Sequence, residues 1–337
     1  MRRAYVAVAA IVGIFVCIQL GALALVQPFE AAGYQTVEDP TNPTNSLVYI
    51  GAILVATAVM LAAFKYDADV LVRLLVIGSA TFISYYVFTV LLPSVTLFGL
   101  NAVALGAALV LAGALAVYPE WYVIDGAGIV MGAGAAGLFG ISFGLLPAIV
   151  LLAGLAVYDA ISVYGTEHML ELASGVMDLK IPVILVIPLT LSYSFLDGEM
   201  PETRPDDGTD ESLESDDDDT GLDDPDDPDD PDDDTGPMDR DAFFIGLGDA
   251  VMPTVLVASA AFFAPSSVPT VSLLGLEAAL PAVTAMVGTL LGLLVLMRMV
   301  MKGRAHAGLP LLNGGAIAGY LVGALAVGIP LAQAVGL

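Results

Sequence analysis

The sequence predicts an all-α polytopic membrane protein: nine transmembrane helices, N-terminus cytoplasmic, C-terminus external, and a disordered acidic loop between helices 6 and 7. Three observations carry this expectation. Of 337 residues, 58% are hydrophobic and only 14% charged, an apolar excess that a water-soluble domain has no use for. Between Asp197 and Asp241 lie 23 of the 36 acidic residues but only 2 of the 10 bases, so the formal charge of −26 belongs to one insert in a nearly neutral chain. Finally, a nine-span count places all 10 bases on a single side of the membrane.

A bilayer core about 30 Å thick needs roughly 20 apolar residues of helix. Runs of that kind are Ala4–Val26, Ser46–Phe64, Val70–Leu92, Thr96–Val117, Val123–Phe139, Leu145–Tyr164, Ala242–Phe263, Leu273–Met297 and Leu309–Leu331. The first follows Met1-Arg2-Arg3 like a signal peptide, but it is longer than an h-region, and Gln27–Asn45 offers no convincing cleavage context. It is therefore expected to stay as a membrane helix. The fifth contains Gly126, Gly128, Gly132, Gly134 and Gly137, small residues that let helices approach closely. A tenth run, Ile181–Phe195, has only 15 residues, includes Pro182 and Pro188, and is rich in Val and Ile. Its length and composition suit a strand or an interfacial segment rather than a span.

Charge placement supports that choice. If Ile181–Phe195 does not cross, Arg2, Arg3, Lys65, Arg73, Lys180, Arg204, Arg240, Arg298, Lys302 and Arg304 all face the cytoplasm. If it did cross, the last five of these would move outside. The chain thus divides into residues 1–164 with six helices, a cytoplasmic loop at 165–241, and residues 242–337 with three helices. Within the loop, 181–195 is the candidate strand, and 198–240, built from Asp, Pro, Gly and Thr, cannot bury apolar area and is expected to be disordered. Its Asp run lacks the spacing of a calcium loop. Apart from the Asp-Asp-Pro near-repeat in Asp223–Asp234, no internal repeat is apparent.

Several functions are excluded or disfavoured. No basic face exists to meet nucleic acid. One cysteine, Cys17, rules out an internal disulfide, and two isolated histidines, His168 and His306, argue against a zinc site. No metal and no cofactor are expected; the expected partners are the lipid bilayer and whatever substrate the membrane presents.

Carboxylates inside spans are costly and mark function by default. Glu277 and Asp125 lie near the starts of their spans and are expected to reach the interface. Asp159 and Asp249 do not. Asp159 stands six residues before Gly165 and Asp249 eight after Asp241, which at the helical rise puts them about 9 and 12 Å below the same surface. The two spans are consecutive, so the acids can face each other. Two neighbouring carboxyls in low dielectric cannot both ionise. One then serves as base toward a water, while the other hydrogen-bonds a peptide carbonyl and stabilises the tetrahedral oxygen. Gly246 and Gly248, without Cβ atoms, would let an extended backbone lie close to Asp249. Taken alone, the pair also suits a proton- or ion-coupled secondary transporter, although no repeated halves of the kind such folds carry are apparent.

Tyr158-Asp159 in one span and Gly246-Leu247-Gly248-Asp249 in the next resemble the paired motifs of the presenilin and signal peptide peptidase aspartyl proteases. The resemblance extends over the whole chain. It implies nine spans, catalytic acids on the sixth and seventh, and a Pro-Ala-Leu motif opening the last. Here that stretch reads Ala307-Gly308-Leu309-Pro310: Leu309 and Pro310 fit, while Ala307 and Gly308 replace the motif's proline and alanine. The orientation from the charge count is the presenilin one, and the resemblance is to an archaeal presenilin homologue. By this resemblance the chain is an intramembrane aspartyl endopeptidase of the cell membrane that cleaves the transmembrane helices of single-span proteins. Asp159 and Asp249 would be catalytic, with Tyr158, Gly246, Leu247, Gly248, Gly308, Leu309 and Pro310 shaping the site. A prepilin-type peptidase shares the Gly-x-Gly-Asp signature but requires neither the Tyr-Asp partner nor nine spans. The physiological substrate and any accessory subunits are not legible in the sequence.

Overall fold

The computed structural model describes residues 2–66, 68–164, 184–189, 193–194, 242–301 and 307–337. The acidic segment expected at 198–240 lies outside these residues, as do Lys302 to His306. The helices are α1 (Arg2–Ala31), α2 (Thr44–Lys65), α3 (Asp69–Leu91), α4 (Ala102–Val117), α5 (Trp121–Ser142), α6 (Leu145–Tyr164), α7 (Leu247–Phe262), α8 (Leu280–Val300) and α9 (Leu309–Ala326), with a single turn, α10 (Leu331–Ala334), at the end. Among the described residues, seven are long and apolar enough to cross a bilayer. The other two long elements, α4 and α7, have 16 residues each. That is about 24 Å of helix, less than the roughly 30 Å of a hydrocarbon core.

Three expected span starts are corrected by sheet. The chain enters α4, α7 and α8 through two-stranded antiparallel ladders: β1 (Thr96–Leu97) with β2 (Leu100–Asn101), β3 (Ile184–Pro188) with β4 (Ala242–Gly246), and β5 (Thr270–Leu273) with β6 (Leu276–Ala279). Helices expected to begin at Thr96, Ala242 and Leu273 therefore begin at Ala102, Leu247 and Leu280. Local chemistry explains the starts. The Asn101 side chain accepts from the amides of Val103 and Ala104 at 3.2 and 3.3 Å, capping α4. Pro281 occupies the first turn of α8, where no amide partner is needed. A hydropathy window does not see these boundaries because the strands carry enough Val, Ile, Leu and Phe to merge with the helices they precede. Glu277 accordingly sits exposed on β6 rather than in a helix start. The last helix stops at Ala326, where Gly328 turns the chain with φ +83°, rather than running to Leu331.

At the centre, α5 packs against α1 and α7. Glycines on α5 make the approach close: Gly132 faces Leu247, Val251 and Ile18, and Gly140 faces the backbone of Ala258 and Ser259. Helices α8 and α9 run antiparallel with their backbones in contact. A Cβ on Gly288 would strike the Gly315 carbonyl, one on Gly292 the Leu311 carbonyl, and one on Gly319 the Thr284 carbonyl. This ladder fixes the register of α9 against α8. Helix α2 is peripheral, meeting α6 where Ile50 covers Gly154, and much of its surface is exposed and apolar, as lipid contact requires.

Gly315→Val should cost about 1–3 kcal/mol through overpacking, read as a lowered thermal unfolding midpoint in detergent. Gly314→Ala, whose side chain would enter unoccupied space, should leave the midpoint nearly unchanged.

Candidate active site

Helix α9 starts with an amide that nothing on its own helix can satisfy, and Gly308 at its cap position has no side chain to help. The partner comes from α6. The Leu309 amide donates to Oδ2 of Asp159 at 3.0 Å, and the Gly308 amide faces the same carboxylate. Asp159 is only 4% exposed. A carboxylate at a helix N-terminus is also favoured by the helix dipole. Pro310 follows in the first turn of α9, where its missing N–H costs nothing.

Gly308 touches the second carboxylate as well. A Cβ on it would lie 3.3 and 3.4 Å from the two oxygens of Asp249. Asp249 stands in the first turn of α7, near enough to Asp159 for their charges to interact. The helical-rise depth of about 12 Å expected for Asp249 does not hold, because the chain is extended as far as Gly246. Both carboxylates nonetheless lie against the Gly308–Leu309 backbone.

The Gly246-Leu247-Gly248 stretch splits into two tasks. Leu247 is buried and reaches across to α5, where a Cβ on Gly128 or Gly132 would meet its side chain at 3.6 or 3.3 Å. Both glycines are exposed: a Cβ on Gly246 would lie 3.6 Å from Oδ2 of Asp249, while Gly248 opens onto unoccupied space. Tyr158 is half-buried beside Asp159. Of the sequence-selected positions, contacts bring Asp159 together with Leu309, and Asp249 with Gly246 and Gly308, while Leu247 packs on α5.

Asp125 departs from its interfacial expectation. It is 7% exposed, and its Oδ1 accepts from the Val186 amide of β3 at 2.8 Å. One turn earlier, Glu120 accepts from Ser194 Oγ at 2.7 Å. Helix α5 thus grips the segment after α6 at two points. The middle of β3, Leu185 to Ile187, is buried, and its five residues pair with β4 in the register Ile184↔Gly246 to Pro188↔Ala242. Strand β4 then runs directly into the helix that carries Asp249. A second residue without a sequence-level role is Asn313, fully buried, whose Nδ2 donates to the Leu152 carbonyl at 3.0 Å and ties α9 to α6 one turn beyond Leu309. The available signal was a lone polar residue in an apolar helix. Among the described residues, no three His, Cys, Asp or Glu side chains group as metal ligands.

A family model described as signal-peptide peptidase, presenilin aspartyl protease matches residues 12–329. A solved structure of a presenilin family intramembrane aspartate protease in space group C222 is 31% identical, with a TM-score of 0.61 over 95% of this chain and 99% of that one. A second structure so described, in space group P2, is also 31% identical, with a TM-score of 0.58 over 94% and 97%. No curated protein matches the chain. The chain belongs to the signal-peptide peptidase and presenilin family. It is an intramembrane aspartate protease, a hydrolase, and a multi-pass membrane protein.

Gly308→Val should reduce both proteolysis and binding of a transition-state aspartyl inhibitor, since its side chain would press on the Asp249 carboxylate. Gly308→Ala, which restores the family's alanine, needs only a few tenths of an ångström of adjustment and should retain more of both. Inhibitor titration alongside a cleavage assay checks the order.

Proposed function

We propose that Asp159 and Asp249 are the catalytic pair of an endopeptidase acting on transmembrane helices. The observation that carries this reading is that both carboxylates lie against one short backbone stretch, Gly308–Leu309. One carboxylate takes a proton from a water held between them, and the water oxygen bonds to the peptide carbonyl carbon. The other carboxyl gives its proton to the carbonyl oxygen. The tetrahedral intermediate collapses with cleavage of the C–N bond, the amine leaves protonated, and the shared proton is restored. Which acid holds the proton at rest belongs to the pair. The Leu309 amide orients Asp159, and the open glycines Gly246 and Gly248 leave room for an extended substrate backbone.

The same reading gives nine spans in total, α4 and α7 completing theirs with the adjoining sheet, and a cytoplasmic N-terminus. A substrate helix must be unwound before its peptide bond reaches the acids, and unwound backbone at membrane depth requires hydrogen-bond partners. The β3–β4 ladder leading to Asp249 is the natural guide. Because Asp125 takes the Val186 amide, β3 acts from inside the ladder, holding β4 in place. A transporter role for the pair is not favoured by the family.

Asp159→Asn and Asp249→Asn should each abolish cleavage of a synthetic single-span peptide while leaving the protein folded. Near wild-type turnover in either would sink the assignment. Activity should be bell-shaped in pH, because protonating the base and deprotonating the acid each remove one role.

The Asp125 contact gives a separate expectation. Asp125→Leu leaves the buried Val186 amide without an acceptor, a loss of about 1–3 kcal/mol, and should broaden the set of bonds cut, as mass spectrometry of the products would read. Asp125→Asn, which keeps an acceptor oxygen, should preserve the wild-type pattern.

A further inference from the structure

Two of the hairpins are one hairpin used twice. Pro93-Ser94-Val95-Thr96-Leu97-Phe98-Gly99-Leu100-Asn101-Ala102 and Pro269-Thr270-Val271-Ser272-Leu273-Leu274-Gly275-Leu276-Glu277-Ala278 agree at six of ten positions. The rest exchange Ser and Thr, Phe and Leu, or Asn and Glu. The register repeats too: Thr96 faces Asn101 and Leu97 faces Leu100, as Ser272 faces Glu277 and Leu273 faces Leu276. This repeat corrects the expectation that none exists beyond the acidic segment; a search by spans passes over it because each copy lies at the edge of an apolar run.

Both tips share one anomaly. Phe98 and Leu274 each have φ +52°, followed by Gly99 at +82° and Gly275 at +90°. Positive φ at both central residues suits a two-residue hairpin turn, but Asn, Asp or Gly ordinarily leads it, because a bulky side chain is sterically disfavoured there. Yet Phe98 is 98% exposed and Leu274 91%. Each hairpin therefore holds a large apolar side chain away from the protein in a backbone that resists it.

The surroundings point to lipid. No charged residue occurs between Arg73 and Glu120, so the first hairpin lacks the solvating groups of an aqueous loop. Val95, Leu97 and Leu100 are exposed around its tip, and exposed Leu91 and Val103 continue that apolar surface onto α3 and α4. Both hairpins lie at one end of the bundle. Tyr34 after α1 packs on Tyr86 near the end of α3, the Thr36 amide donates to Ser142 Oγ at the end of α5, and Ser259 Oγ near the end of α7 donates to the Phe143 carbonyl. Asp249, in the first turn of α7, is at the other end.

We propose that Phe98 and Leu274 are paired interfacial anchors, inserted into the leaflet on that side at the boundary of headgroups and acyl chains. Ladder pairing satisfies much of the hairpin backbone, which lets it lie where an irregular loop would not, and the boundary is where apolar tips on polar supports settle. The anchors join α3 to α4 and α7 to α8. They thereby set the height of α7 in the bilayer from the end opposite Asp249. The proposal does not depend on which residues perform the chemistry.

The test uses the full chain in phosphatidylcholine vesicles with its single tryptophan removed as Trp121→Phe, and Phe98→Trp or Leu274→Trp introduced in turn. Each reporter should emit at blue-shifted wavelength, resist iodide in the bath, and be quenched by lipid brominated near the headgroup end of its chains. Three results would overturn the proposal: iodide quenching with no bromolipid effect at either tip, insertion of one tip only, or protection from both quenchers, which would assign the tips to a protein contact. Should a tryptophan variant not fold, nitroxide-labelled Phe98→Cys or Leu274→Cys in a Cys17→Ser background, read by oxygen against aqueous nickel accessibility, decides by the same criterion.

Discussion

The first amide of helix α9 has no acceptor on its own helix, and the group that takes it is a carboxylate from another helix. The rest of the site follows from satisfying that end. Asp159 must be buried at the α9 terminus, so α6 and α9 must be adjacent, an adjacency that Asn313 reinforces one turn further on. The residue at the junction must be small, because the second carboxylate lies against it. The ladder of glycines between α8 and α9 then holds this terminus at the height where both carboxylates reach it.

The sheet beside the site obeys the same constraint. A strand buried in a protein needs its amides answered. Strand β3 is answered on one side by β4 and, at Val186, by the carboxylate of Asp125. Helix α5 and its N-cap residue contribute two kinds of contact to this arrangement: acids, Glu120 at the cap and Asp125 in the helix, that hold hydroxyl or backbone groups, and glycines, Gly128 and Gly132, that accept the side chains of Leu185 and Leu247.

Much of this was legible in the sequence, for physical reasons. Long apolar runs can only be membrane helices, and an acid within one is rare enough to identify. That made α1, α2, α3, α5, α6, α8 and α9 readable as helices and singled out Asp159 and Asp249. Boundaries were not legible where a short strand rich in Leu, Val, Ile or Phe runs straight into an apolar helix, as at Thr96, Ala242 and Leu273. Asp125 was misread for a related reason: counting residues to the end of a span gives depth, but cannot show that a distant strand will cover the position. The hairpin repeat escaped because its signal is a turn geometry, and Phe98 and Leu274 are not residues that ordinarily announce one.

The α8–α9 contact has a mechanical consequence. Backbones that meet through glycine have no flexible side chains between them to absorb displacement, so the two helices move as one body or not at all. Neither carboxylate stands on that body, since Asp159 is on α6 and Asp249 on α7, so a change in the gap between them is a displacement of α6 or α7 relative to the paired α8 and α9. The start of α9 at Gly308 and Leu309 is then a fixed post against which either acid can shift.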